Sequence, residues 1–202
     1  TPHPLSRAII HASGEAEIFI DARKTKAEVR AYLGQFARQH EPAEFLPRLK
    51  AIAADGGRVM LDPDLAPYVL FGLVEEAGGK VVEGDDPARL PRATKNATEL
   101  AGSIQAHLQD GAAMVEFLHW LDSQDAETLT EIDAVKALEA ARARVGERMQ
   151  NPLRDISFDT ISGAGENAAI IHYRVTHETN RRFRKGELFL VDSGAQYVNG
   201  TT

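Results

Sequence analysis

The sequence has 202 residues and a mass of 22.1 kDa, enough for one large domain or two small ones. Its 23 basic and 30 acidic side chains leave a formal net charge of −7, which argues against a surface built for polyanions, and no apolar run reaches the length of a membrane helix. Cysteine is absent, which excludes disulfides, thiolate zinc sites, iron–sulfur clusters and a cysteine nucleophile. We therefore expect neither a nucleic-acid partner nor a membrane.

Strand-like and helix-like segments alternate over residues 1–90, and this alternation is typical of an α/β layer. A segment of turn-forming residues follows, namely Gly84-Asp85-Asp86-Pro87 and then Leu90-Pro91-Arg92. We therefore predict two domains, an α/β domain over 1–90 and a second domain over 91–202. Strands of the first domain are predicted at 8–10, 15–20, 57–61 and 80–82, and helices at 24–38, 42–54 and 65–76.

The second domain is predicted to begin with two helices and to continue with strands. The first helix, over 95–121, is amphipathic, and we expect its apolar stripe to face the core. A second helix over 130–144 has capping-box spacing between Thr128 and Glu131. The stripe consists of Leu100, Ile104, Leu108, Val115 and Leu118. Strands are predicted at 158–161, 169–173 and 187–192, and Asn199-Gly200 predicts a two-residue hairpin turn.

Two side chains in these strands are candidates for chemistry. Asp192 ends an apolar strand, and a carboxylate buried there must be paired, hydrogen-bonded or bound to a metal ion. The alternative is an Asp that caps an Asp-Ser-Gly turn, which composition alone favours. His172 follows two isoleucines, and taken alone it fits a core or edge histidine better than a functional one.

Several blocks of the sequence resemble the Xaa-Pro aminopeptidase (aminopeptidase P) branch of the M24 pita-bread metallopeptidases. The helical stretch Lys95–Glu99 and Ala106–Ala113 resembles the entry into that family's catalytic domain, and residues before 90 are similar to its creatinase-like α/β domain. The resemblance implies a creatinase-like α/β domain followed by the first half of a pita-bread α+β catalytic domain. The densest blocks are 157–165, 170–176, 179–181, 186–197 and 199–202.

The resemblance implies a peptidase that releases an N-terminal residue preceding proline, using water activated between two divalent metal ions. Asp192 lies where the family has its first metal-ligand Asp, and His172 lies where it has a substrate-binding, catalytic histidine that holds the peptide or the developing charge. Manganese suits such oxygen-rich sites best, and zinc or cobalt is also accepted. The resemblance further implies peptide substrates with proline at the second position, a homodimer and a cytoplasmic location.

The end of the chain gives a further expectation. The resemblance implies metal ligands of two Asp, one His and two Glu. The chain stops two residues after the predicted hairpin turn, so we expect a fragment cut inside a sheet that lacks the second Asp, the His and both Glu. Since one Asp cannot hold two metal ions, we expect the fragment alone to be inactive and metal-free. Two alternatives stay open. One is another hydrolase of the fold, either a prolidase-type dipeptidase or a metal-free creatinase-type enzyme; the other is a pseudoenzyme that binds peptides.

Overall fold

The computed structural model describes residues 4–202, apart from the side chain of Asp55. The described residues divide into two compact units, 4–94 and 95–202. Within the described part, no helix is both long and apolar enough to cross a membrane. The mixed α/β class expected from the sequence is confirmed, and each unit is built as follows.

The first unit contains two small sheets and four α-helices among its described residues. Strands β1 and β2 are antiparallel, β2 and β3 are parallel, and β4 pairs with β5 in parallel. Parallel neighbours need a crossover, which α1 supplies between β2 and β3 and α3 supplies between β4 and β5. The elements are β1 (Ser6–Ile10), β2 (Ala16–Ile20), α1 (Ala27–Leu33), β3 (Arg38–His40), α2 (Phe45–Ala53), β4 (Arg58–Leu61), α3 (Tyr68–Glu76), β5 (Lys80–Glu83) and α4 (Arg89–Ala93).

The core of this unit lies between β2, α2 and α3. Phe19 packs edge-on against Phe45, with ring centroids 5.2 Å apart. The helix predicted over 24–38 is shorter than expected, because the chain beyond it pairs with β2 as strand β3. The buried core residues are Phe19, Phe45, Leu49, Ala53, Leu70 and Val74.

The second unit is a helix pair with short antiparallel strands. Helices α5 and α6 pack together around Phe117, Ala134 and Leu138, and Phe189 and Val191 pack against the same core. Strand β7 pairs with β8, and β6 pairs with β9. The elements are α5 (Ala97–Asp122), α6 (Glu131–Arg148), β6 (Asp155–Ile156), β7 (Ile161–Ala164), β8 (Phe189–Asp192) and β9 (Ala195–Gln196).

The face of α5 that is buried differs from the predicted one. The whole predicted stripe is exposed, from Leu118 at 49% to Val115 at 66%. The buried face instead combines small, polar and aromatic side chains. Ala106 packs with Ala195 and Tyr197, and the buried polar groups have hydrogen-bond partners, Arg142 for Asp110 and the carbonyl oxygen of Asn151 for Gln109. The residues of this buried face are Ala106, Gln109, Asp110, Ala113 and Phe117.

Two turn-level predictions are also corrected. The capping box of α6 is formed by Thr130 and Asp133, two residues later than predicted from Thr128 and Glu131. The final hairpin pairs Gln196 with Thr201, so its two loop residues are 198–199 and the predicted Asn199-Gly200 turn is shifted by one position. In the observed register Tyr197 is buried, with 1% exposure. Side chains alternate between the two faces of a strand, so a slip by one residue would move Tyr197 and its neighbours to the opposite face.

Candidate functional site

Asp192 is the last residue of β8, where it lies opposite Ile161 of β7. Alternation along the strand directs Phe189 and Val191 toward the helix pair and leaves Leu190 and Asp192 on the other face. The side chain of Asp192 is therefore exposed, and the interpretation of it as a buried carboxylate at the end of an apolar strand is wrong. It occupies the end of a paired strand, which is a defined position for a ligand-binding side chain.

A buried polar network holds the turn that follows Asp192. Arg142 of α6 is 0% exposed and donates to both carboxylate oxygens of Asp110 on α5, at 2.8 and 2.9 Å. The same guanidinium donates to Ser193 Oγ at 3.1 Å and to the carbonyl oxygen of Gly194 at 3.3 Å. The two residues after Asp192 are thus tied to both helices through one side chain.

The carboxylate of Asp110 also accepts hydrogen bonds from residues of the C-terminal hairpin. Tyr197 donates its hydroxyl to one oxygen at 2.8 Å, and Thr202 donates to the other at 2.9 Å. Burial by itself would raise the pKa of Asp110, but hydrogen bonds from Arg142, Tyr197 and Thr202 outweigh it and hold that pKa below its ordinary value. Burial, and then the hydrogen bond to this carboxylate, raises the pKa of Tyr197 far above its usual range. The network therefore keeps Asp110 ionised and Tyr197 neutral.

His172 lies in an exposed turn between β7 and β8. The strand predicted over 169–173 is absent there; a 3₁₀ turn over Gly165–Ala169 is followed by a tight turn in which the amide of Tyr173 donates to the carbonyl oxygen of Ile170 at 3.2 Å. His172 has a φ of 55°, a left-handed conformation that non-glycine residues adopt rarely. Its imidazole is exposed, so the core or edge position expected for a structural histidine is wrong.

The structure shows no polar contact between the two predicted site residues. Among the described residues, no hydrogen bond or ion pair joins His172 to Asp192. No group of three or more His, Cys, Asp or Glu side chains in the described part of the chain could hold a metal ion. Asp192 offers oxygen ligands of the kind that manganese prefers, but one carboxylate does not make a dinuclear centre. The residues present here therefore do not fit a pair of metal ions on their own.

Sequence reasoning missed the polar residues that hold these segments in place. Asp110, Arg142 and Glu131 are almost or completely buried, yet each belongs to a residue type that is usually exposed. A signal was present on α5, where Ala106 and Ala113 lie one heptad apart and Asp110 falls between them on the same helical face. A charged residue between small residues on one helical face is compatible with a closely packed interface and also with a polar surface.

Two family models cover the chain between them. The model described as "Creatinase/Prolidase N-terminal domain" matches residues 1–99, and the model described as "Metallopeptidase family M24" matches residues 102–202. The second match spans half of the sequence.

Similar proteins carry related names. "Aminopeptidase P2" from Arabidopsis thaliana is 32% identical over 93% of this chain, and a "Probable Xaa-Pro aminopeptidase P" from Coccidioides posadasii is 36% identical over 93%. The crystal structure of an X-prolyl aminopeptidase from Caenorhabditis elegans, described as a cytosolic enzyme with a di-nuclear active site, superposes with a TM-score of 0.76 at 32% identity over 93% of this chain. The chain spans 30%, 29% and 31% of these three proteins, respectively.

Proposed function

Because this chain belongs to metallopeptidase family M24, we propose that it is part of a metal-dependent aminopeptidase that releases an N-terminal residue preceding proline. The observation that carries the proposal is the 32% identity and TM-score of 0.76 to the C. elegans X-prolyl aminopeptidase over 93% of the chain. The substrates are then peptides with proline at the second position. The described location of that relative supports a cytoplasmic enzyme, and we keep the homodimer as a prediction.

The proposed roles of the two site residues follow from their positions. Asp192, exposed at the end of β8, contributes carboxylate oxygens to a site for two divalent metal ions, with manganese preferred over zinc or cobalt. The other ligands of such a site are not found among the described residues, where no group of three or more His, Cys, Asp or Glu side chains could hold a metal ion. His172, exposed on its turn, donates a hydrogen bond to the bound peptide. The chain by itself supplies one ligand, and we propose that it does not hydrolyse peptides alone.

A chimera tests the proposal. The matching segment of the C. elegans enzyme is replaced by this chain, and hydrolysis of a tripeptide with proline in second place is measured with added Mn²⁺. The chimera should be active, and Asp192→Ala should lower kcat/KM on the order of a hundredfold or more. Asp122→Asn, an exposed acid at the end of α5, is the matched control and should retain activity.

Other outcomes of the same assay separate the alternatives. Cleavage of Xaa-Pro dipeptides only would indicate a prolidase-type enzyme. Peptide binding without hydrolysis, in a chimera whose other ligands are intact, would indicate a binding module. Full activity of the Asp192→Ala chimera would remove Asp192 from the metal site.

A further inference from the structure

Glu131, the first residue of α6, is a completely buried carboxylate with a relative exposure of 0%. No cation among the described residues forms an ion pair with it; backbone and side-chain donors satisfy it instead. A buried charge without such partners would be very costly, so this set of donors has to be held together for the unit to fold. The position at the start of a helix adds the favourable end of the helix dipole.

The donors come from both ends of the loop that carries His172. At the entry of the loop, the amide of Ala164 and the side chain of Asn167 donate to Oε1 at 2.8 and 2.9 Å. At the exit, the hydroxyl of Tyr173 and the amide of Arg181 donate to Oε2 at 2.9 and 3.1 Å. The side chain of Glu131 thus connects the two ends of the loop, with one carboxylate oxygen bound to the entry and the other to the exit.

Additional contacts connect the same loop to the start of α6. Asn167 donates to the hydroxyl of Tyr173 at 2.9 Å, which joins the entry and exit of the loop directly. The side chain of Asn180 accepts from the amide of Ile132 at 3.0 Å. The tip of the loop, from Ile170 to His172, is left exposed and is bounded on both sides by residues that Glu131 holds.

We propose that Glu131 is the positioning residue of His172: its carboxylate fixes the loop over 165–181 and thereby holds His172 in its left-handed turn. What His172 then does for the reaction rests on the proposed function; how the loop is held does not. The carboxylate suits this role because all four groups that reach it are donors, and a carboxylate offers only acceptors. An amide in its place would turn an NH₂ group toward donors on one side.

Amide hydrogen exchange on the 202-residue chain tests the positioning directly. In Glu131→Gln, the amides of Ala164 and Arg181 should exchange on the order of tenfold faster or more, and the backbone resonances of His172 should move toward unfolded-chain values. Glu127→Gln, an exposed acid just before α6, is the matched control and should change neither. Unchanged exchange and unchanged His172 signals in Glu131→Gln would overturn the proposal.

A milder variant covers the case in which Glu131→Gln unfolds the unit. Tyr173→Phe removes one donor at the exit and keeps the ring. It should accelerate exchange at Arg181 while leaving the helical circular dichroism unchanged. An exchange rate at the Arg181 amide equal to that of the wild type would count against the proposed clamp, by which we mean the hydrogen bonds from the loop to Glu131.

A double-mutant cycle in the active chimera connects the clamp to the reaction. If Glu131 acts through His172, Glu131→Gln should raise KM in the wild-type background and have little further effect in the His172→Ala background. Equal effects in both backgrounds would show a general structural role and overturn the positioning. The exchange experiment does not require an active enzyme. Its result can therefore be interpreted even if the proposed peptidase function proves wrong.

Discussion

At the residue scale, the stabilising polar contacts of the second unit differ in burial more than in geometry. Arg142 reaches Asp110 at 2.8 Å with its side chain 0% exposed, whereas Arg144 reaches Glu116 at 2.7 Å with its side chain 55% exposed. Both pairs join α6 to α5. Removing one partner of a buried pair leaves an unpaired charge, while an exposed pair is replaced by water.

We expect Asp110→Asn to lower the free energy of unfolding of the second unit by about 3–5 kcal/mol, because it leaves Arg142 buried without a countercharge. Glu116→Gln, its neighbour on the same helix, should cost less than about 1 kcal/mol. Urea unfolding followed by the fluorescence of Trp120, the sole tryptophan of the sequence, measures both. Equal losses in the two variants would show that burial of the pair is not the deciding factor.

At the element scale, α5 shows how close packing chooses the buried face of a helix. A side chain at Gly102 would meet the backbone carbonyl oxygen of Asn199, whereas one at Gly111 would meet nothing within 4 Å. Glycine at the first position is required by the approach of the hairpin turn. At the second position it only weakens the helix.

The two glycines therefore predict opposite effects of the same substitution. Gly111→Ala should stabilise the second unit by about 1 kcal/mol through helix propensity. Gly102→Ala should destabilise it by about 1–3 kcal/mol, because the turn has to move away from the helix. Thermal unfolding monitored at Trp120 gives the sign of each change, and a gain in stability for Gly102→Ala would contradict the observed packing.

At the scale of the whole molecule, acid stability of the first unit depends on a cluster around one buried carboxylate. Glu17 of β2 accepts two hydrogen bonds from the Nε of Arg48, each 3.0 Å, and one from His11 at 2.6 Å. The hydrogen bonds from Arg48 are the main cause that lowers the pKa of Glu17 from 4.5 to about 2. Nε2 of His40 lies 2.9 Å from the same carboxylate. Strands β2 and β3 and helix α2 thus meet at one charge.

The lowered pKa of Glu17 determines the direction of a pH effect. A carboxyl group with a depressed folded-state pKa contributes its full stability above its ordinary value of 4.5 and loses that contribution as the pH falls toward about 2. The first unit should therefore lose stability over this window, and Glu17→Gln should flatten the loss. Amide NMR signals of β2 at a series of pH values report it. Glu28→Gln, exposed on α1, should retain the wild-type slope; a wild-type slope in Glu17→Gln would refute the assignment.

Much of the architecture could be predicted from local pattern. Alternation of strands and helices indicated the α/β class, and the helices at 42–54 and 95–121 were placed to within a few residues of α2 and α5. The family resemblance of the blocks over 157–202 is confirmed by the match to the M24 model. Asp192 was also placed correctly at the end of a strand. These features depend on neighbouring residues, so they can be read from the sequence alone.

Tertiary structure decided which faces are buried and how the site segments are held. Packing between segments that are distant in sequence determines which side chains are left exposed. The exposed features include the stripe of α5, Asp192 and the turn at His172. Arg142 meets a carboxylate 32 residues away, and Glu131 meets the hydroxyl of Tyr173 42 residues away. Hydrophobic periodicity does not register such contacts, because a polar side chain becomes a core residue only when the fold supplies all of its hydrogen-bond partners.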